Sequence, residues 1–193
     1  MKEQITEEHK GGGKRKTKVM GPSGGNGGTG WDDGKFSGVR EITLVYDRCI
    51  DSFRVLYDKK GKSVLAEKHG GNGGNRTVNI KLQYPEEFIT SVSGHYCPAV
   101  RGGSAVIRSL TFKTNRRTFG PYGVEEGTPF SFPVDGGGVI VGFKGRSGWY
   151  LDAIGFSVSQ VHTPTFFHKI QQKLHKLISP NNGEEGPQNK AHA

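Results

Sequence analysis

Only two cysteines, Cys49 and Cys97, occur in 193 residues. That is too few for the disulfide framework that staples small secreted folds. Long apolar runs are missing too. Apolar residues make up 32% of the chain and its mean hydropathy is −0.58, and no stretch is long enough to cross a bilayer as a helix. The opening residues Met1 to Glu8 lack the apolar segment of a secretory signal. The expectation is a cytoplasmic or nucleocytoplasmic protein with reduced thiols. Gly94-His95-Tyr96-Cys97 brings a histidine near a cysteine, but no spacing matches a zinc site. Carboxylates stand singly or in solvated pairs such as Glu86-Glu87 and Glu125-Glu126. No catalytic residue, metal or cofactor is assigned.

Negative charge is in short supply: 27 Lys and Arg face 18 Asp and Glu, a formal charge of +9. More than half of the excess sits in the ends, with +3 in residues 1–20 and +2 in residues 161–193. A nucleic-acid-binding domain concentrates its charge on the folded face, so this distribution argues against a nucleic-acid partner. Residues 1–17 are polar and rich in Gly and Lys, and are expected to form a disordered basic tail. In the extension 161–193, Phe166, Phe167, Ile170, Leu174, Leu177 and Ile178 recur at helical spacing after Pro164. That predicts an amphipathic helix over 165–178, with a protein or membrane surface as its partner.

What the chain has in abundance is glycine, 31 residues or about twice ordinary usage. Between 18 and 160, about ten short β-type runs alternate with Gly-rich turns, and no helical periodicity intervenes. This is the pattern of an all-β domain. One such run, Val39 to Tyr46, predicts Val39, Ile42, Leu44 and Tyr46 on a buried face. Gly24-Gly25-Asn26-Gly27-Gly28 recurs unchanged as Gly70-Gly71-Asn72-Gly73-Gly74, 46 residues later. Such a period suggests sheets about a pseudo-symmetry axis. A third unit is expected near Arg116 to Gly120, which shares only the turn character.

Two chemical signatures in the first cluster occur by chance. Gly25 to Gly30 satisfies G-x-G-x-x-G, and Gly21 to Gly25 satisfies G-x-S-x-G. Both need a helix to open directly afterwards, and Trp31-Asp32-Asp33-Gly34 reads as a turn. The more informative stretch is Gly145-Arg146-Ser147-Gly148-Trp149-Tyr150-Leu151-Asp152, a tight loop ending in one carboxylate where an apolar run begins. Successive backbone N–H groups in such a loop converge on ligand oxygens. A fixed carboxylate accepts from two neighbouring hydroxyls. This inventory suits a sugar.

Together with Gly120-Pro121-Tyr122-Gly123 and Gly127 to Pro133, these segments resemble the jacalin-related plant lectins, in particular their mannose/glucose-binding branch. The resemblance covers roughly residues 17–160. It implies a β-prism I of three four-stranded Greek-key sheets with pseudo-threefold symmetry. It also implies that the first and last strands share a sheet, which would bring Gly28 beside Gly148, Trp149, Tyr150 and Asp152. By the resemblance, Asp152 takes two sugar hydroxyls, Trp149 and Tyr150 act mainly through backbone N–H groups, and Gly28 donates a further N–H. The uncut stretch from Val19 to Gly28 resembles the mannose/glucose-type members rather than the cleaved galactose-type ones. A weaker second site is implied at Gly74 and Asp51, weakened by Asp47 where glycine is expected. The function expected is non-catalytic recognition of mannose/glucose-type glycans, weak per site and strengthened by avidity in homo-oligomers. The alternative is a scaffold in which the prism and the 165–178 helix bind a protein or membrane.

Overall fold

The computed structural model describes residues 5–6 and 17–160. Fourteen strands run in chain order: β1 (Ile5–Thr6), β2 (Thr17–Gly24), β3 (Thr29–Asp32), β4 (Gly38–Tyr46), β5 (Ile50–Lys59), β6 (Lys62–Leu65), β7 (His69–Gly70), β8 (Arg76–Lys81), β9 (Ile89–Pro98), β10 (Ala105–Thr114), β11 (Thr118–Gly123), β12 (Thr128–Pro133), β13 (Val139–Ser147) and β14 (Leu151–Ser159). They form three antiparallel sheets with one shared plan. Each has a central hairpin, β13–β14, β4–β5 or β9–β10, flanked by the two strands that come next around the prism. The orders are β2-β14-β13-β3, β6-β5-β4-β8 and β11-β10-β9-β12. The first sheet is completed only when β14 pairs with β2, for example Phe156 with Met20 and Ser159 with Thr17.

The sheets meet along an aromatic spine. Phe53 on β5 packs edge-on to Phe143 on β13 at 5.0 Å, Phe143 to Phe156 on β14 at 5.8 Å, and Phe156 to Phe132 on β12 at 5.8 Å. All four rings are essentially inaccessible to water. Rings of this size dominate core burial, and edge-to-face contacts add to it. Alternation along β4 buries Val39, Ile42 and Leu44 as expected, while Tyr46 is half-buried. A polar pin crosses from the second sheet to the first: the Tyr57 hydroxyl donates to Asp33 (2.6 Å) and accepts from the Phe143 N–H (2.8 Å). Burial first, and then the Asp33 charge, push the Tyr57 hydroxyl's pKa far above the phenol range, so it stays a donor.

Two expectations about the architecture need correction. The described residues contain sheet and no helix. The helix expected over 165–178 lies outside them, as does nearly all of the tail 1–17, so the fold class is all-β and the helix is not part of it. Nothing among the described residues supports the scaffolding alternative, which drew on the prism together with that helix. The sheets are also not uniformly four-stranded. β1 adds a fifth strand outside β2 through Ile5–Lys18 and Thr6–Thr17 pairing. In the second sheet β6 and β7 are two pieces of one edge strand along β5, pairing at Leu56–Lys59 and Ser52–Phe53 respectively. The segments carrying the two chance signatures are strand and loop: Gly21 to Gly24 lies in β2, Gly25 to Gly28 is a loop, and β3 then runs through Trp31 to Asp32.

Candidate functional site

In each sheet the connection between the two flanking strands crosses the same end of the prism. The first loop is Gly24–Gly28 and the second Gly70–Gly74; the third is Gly123–Gly127. Three observations make them equivalent. Gly24, Gly70 and Gly123 pair with Ala153, Ser52 and Ser109. The next residue's N–H then donates to the carbonyl just before that partner: Gly25 to Asp152 (2.8 Å), Gly71 to Asp51 (2.9 Å) and Val124 to Arg108 (2.9 Å). Finally, the last glycine has positive φ in every copy, 58° at Gly28, 82° at Gly74 and 92° at Gly127, a conformation that disfavours any Cβ. The third unit therefore lies at Gly123, not near Arg116. It follows Gly70 by 53 positions rather than 46. A search for glycines four apart ahead of a β run would have found it.

Closure of the first sheet brings Gly28 against Gly148. A methyl built on Gly148 would stand 3.3 Å from the Gly28 Cα. The Asp152 carboxylate lies in the cradle of the first loop. A methyl on Gly27 would lie 2.4 Å from Asp152 Oδ1, and one on Gly28 2.6 Å from Oδ2. At Gly27 the carboxylate occupies the space a side chain would take, and at Gly28 the Ser147 backbone, 2.3 Å from such a methyl, excludes one as well. Arg146, to which sequence reasoning gave no role, holds the loop from below. Its Nε donates to the Gly27 carbonyl (2.8 Å) and its Nη2 to the Gly28 carbonyl (2.7 Å). The hairpin turn is closed by the Gly148 N–H donating to the Tyr150 carbonyl (3.0 Å).

Asp152 is only 6% exposed, and its Oδ2 is buried with no hydrogen-bond partner. Burial pushes its carboxyl above the ordinary Asp value of 3.8, against the opposing pull of the Gly148 N–H and the Arg146 charge. A buried acceptor left unpaired is costly and uncommon. Trp149, by contrast, is 87% exposed, and Tyr150 is half-buried. Together with Gly28, Gly148 and Asp152 they line an open groove of about 460 Å³ that continues to Asp51 and Gly73. Replacing Gly27 by Ala is expected to displace the carboxylate or the loop. Gly30→Ala is the control, because a methyl there meets nothing closer than 3.9 Å. Amide chemical shifts should show that displacement as changes centred on Asp152 in Gly27→Ala, and none there in Gly30→Ala.

The second loop repeats the geometry. Methyls on Gly73 and Gly74 would lie 2.4 and 2.9 Å from Asp51 Oδ1 and Oδ2. The Asp47 N–H donates to the Cys49 carbonyl (3.1 Å), the counterpart of the Gly148–Tyr150 bond. Asp47 thus fits the same hairpin turn despite its side chain, which accepts from Asn75 Nδ2 (3.3 Å). Its charge is felt: burial first, then Asp47, push the Asp51 carboxyl upward. The loops also interlock around the end of the prism. A methyl on Gly25 would strike the Ala105 carbonyl of the third sheet at 1.9 Å, and one on Gly71 the Trp149 carbonyl of the first at 2.4 Å.

One further link joins the first two sheets and was not legible in the sequence. His69, just before the second cluster, contacts Asp33 through Nε2 (2.6 Å) and stacks on Trp31 at 3.7 Å. Among the other histidines, His95 Nδ1 lies 3.1 Å from the Ser109 hydroxyl, within one sheet.

Known proteins resemble this chain in sequence and fold. The family model of the jacalin-like lectin domain matches residues 20–157. Jacalin-related lectin 19 of Arabidopsis thaliana is 61% identical over 166 residues, covering 86% of this chain and 94% of that protein. The solved mannose-specific jacalin-related lectin from Morus nigra, in complex with mannose, is 50% identical. It superposes with a TM-score of 0.72 over 79% of this chain and 99% of its own. A mannose-binding lectin from Champedak is 52% identical, with a TM-score of 0.70 over 73% of this chain and 95% of that one. With the sheet plan, the Gly loops and the family model in agreement, the chain belongs to the jacalin-like lectin family.

Proposed function

We propose that the protein is a non-catalytic lectin for mannose- or glucose-type glycans. In this reading Asp152 takes two adjacent sugar hydroxyls, and the N–H groups of Gly28, Trp149 and Tyr150 donate to sugar oxygens. One observation carries it: Asp152 Oδ2 is buried yet unpaired beside Gly28 and Gly148, at the floor of an open groove. A hydroxyl donated from the groove supplies the missing partner. The uninterrupted course of β2 into the first loop and the mannose ligand of the Morus nigra relative support the sugar class. The test is a titration of labelled protein with methyl α-mannoside, methyl α-glucoside and methyl α-galactoside. The first two should shift the amides of Gly28, Trp149 and Tyr150. A preference for the galactoside would overturn the sugar class, and shifts confined to other loops would overturn the site.

The raised Asp152 carboxyl gives the pH dependence its sign. Sugar hydroxyls donate to the ionised form, so affinity should be full at neutral pH and fall on acidification. The fall should begin above pH 3.8, the ordinary Asp value. Constant affinity down to that pH, in protein still folded by circular dichroism, would contradict the assignment.

A second, weaker site at Asp51 and Gly74 is favoured by the repeated cradle and opposed by the Asp47 charge. Asp51→Asn should remove the weaker event of a two-site titration and leave the stronger. Weak single sites gain from avidity, which fits a homo-oligomer. Two free thiols, Cys49 and Cys97, fit a cytoplasmic or nucleocytoplasmic location.

A further inference from the structure

The third loop keeps the backbone of the other two and reverses their chemistry. Where the first two sheets place Asp152 and Asp51, the third places Arg108, as the matched strand pairs and N–H donations require. Where the first two loops have Gly27 and Gly73, the third has Glu126. The exchange is physically coupled. Gly27 and Gly73 are bare because a carboxylate fills the space beside them. With no carboxylate on the strand, that restriction lifts, and the loop supplies the carboxylate itself.

Arg108 is 5% exposed, and its Nε is buried with no partner. Its Nη2 donates to Glu126 Oε2 at 2.5 Å, and Arg48 Nη2, from the neighbouring sheet's hairpin, donates to Oε1 of the same carboxylate at 3.2 Å. One carboxylate is thus clamped by two guanidinium groups, a geometry that selects carboxylates over neutral oxygens. The clamp faces water, since the side chains of Glu126 and Arg48 are 45% and 73% exposed. Behind them Arg108 is a buried cation whose charged partner Glu126 is tethered at the surface.

We infer that the third loop is a site for acidic sugars, held closed by the protein's own Glu126: the carboxylate of a uronic acid takes the place of the Glu126 carboxylate on Arg108 and Arg48. The tethered Glu126 competes at an effective concentration on the order of millimolar or more, so the native protein binds such a sugar weakly. Removing the tether opens the site. The sugar half of the proposal rests on the reading of the equivalent first loop as a sugar site, whereas the carboxylate half stands on Arg108 and Arg48 alone, so the acetate and glucuronide arms below separate the two.

The experiment compares methyl β-glucuronide, methyl β-glucoside and acetate as probes of the native protein, Glu126→Ala and Glu126→Gln, by amide shifts and thermal melting. Glu126→Ala should bind the glucuronide at least tenfold more tightly than native protein. The shifts should centre on Arg48, Arg108 and Gly127, weaken with added salt, and be much smaller with the glucoside. The glucuronide should also raise the melting temperature of this variant more than that of native protein. Should Glu126→Ala fail to fold, Glu126→Gln keeps an acceptor for Arg108 and should show the same preference to a smaller degree. Adding Arg48→Ala should reverse the gain. Equal glucuronide binding by native and opened proteins would overturn the inference, as would shifts centred on Gly28. Acetate binding as tightly as the glucuronide would reduce it to a bare carboxylate site and overturn the sugar assignment.

Discussion

Asp152→Asn is expected to weaken methyl α-mannoside binding by at least ~50-fold and to leave the melting temperature unchanged or higher. The two halves have one cause. Each hydroxyl donated to a carboxylate contributes about 1.5–3 kcal/mol. Asn offers one acceptor oxygen and an NH₂ that faces the second hydroxyl wrongly. For the unliganded protein the sign is opposite. The folded protein holds the Asp152 carboxyl above its ordinary value, chiefly through burial. The ionised form is therefore disfavoured in the fold, and stability is lost as pH rises through the raised value. An uncharged isostere removes that cost. Calorimetric titration and thermal melting of one sample decide the matter. Affinity within threefold of native would remove Asp152 from the site. A melting temperature several degrees lower would make it a structural anchor instead.

Glu87→Ala should have the largest effect on stability, with none on sugar binding. Glu87 is completely buried. It accepts from the Gln83 N–H (3.0 Å), the Thr114 hydroxyl (3.0 Å), and Nε and Nη2 of Arg117 (2.8 and 3.0 Å). These bonds tie the β8–β9 connection to the β10–β11 turn, at the end of the third sheet away from the Gly loops. Breaking a buried ion pair costs about 3–5 kcal/mol, and the half-exposed Arg117 puts this one at the low end. Melting should fall by about 6–12 °C on the scaling for a domain of this size. The same bonds, Arg117 foremost, lower the Glu87 carboxyl from 4.5 to about 2. The contribution is therefore present above pH 4.5 and lost as pH falls toward 2. Acid unfolding of the variant should lack that dependence. A melting temperature within 2 °C of native, or mannoside affinity that falls in protein still folded, would refute this account.

The features legible in the sequence are those whose cause is local. Gly24–Gly28 and Gly70–Gly74 stood out because the same five residues stand in both, each packing its last two glycines beside an Asp carboxylate and its first two against backbone. Asp152 was legible through its own turn. The third loop escaped because Glu126 there answers to Arg108, 18 positions away, rather than to the loop's own backbone. Only the two glycines that the backbone demands, Gly123 and Gly127, remain. β2 contains Gly21 and Pro22, residue types that suit turns, and its strand character follows from β14 lying beside it. The His69–Asp33–Tyr57 link joins residues whose relation exists only once two sheets meet. The helical spacing after Pro164 was equally plain, but spacing alone does not say what an apolar stripe packs against.

The pairing of β2 with β14 has a kinetic consequence. Gly28 and Asp152 stand at opposite ends of the described chain, and the strands that carry them meet only after the two intervening sheets have left the ribosome. Contacts this distant in sequence form slowly, since loop closure precedes any reward. A nascent chain lacking β14 has two sheets and an unpaired β2 edge, but no Asp152 at all. Sugar binding through that residue would then report completed folding. In a refolding experiment, mannoside affinity should be regained with the slowest phase, and glycan would act on the finished protein as a lock rather than on the growing chain as a template.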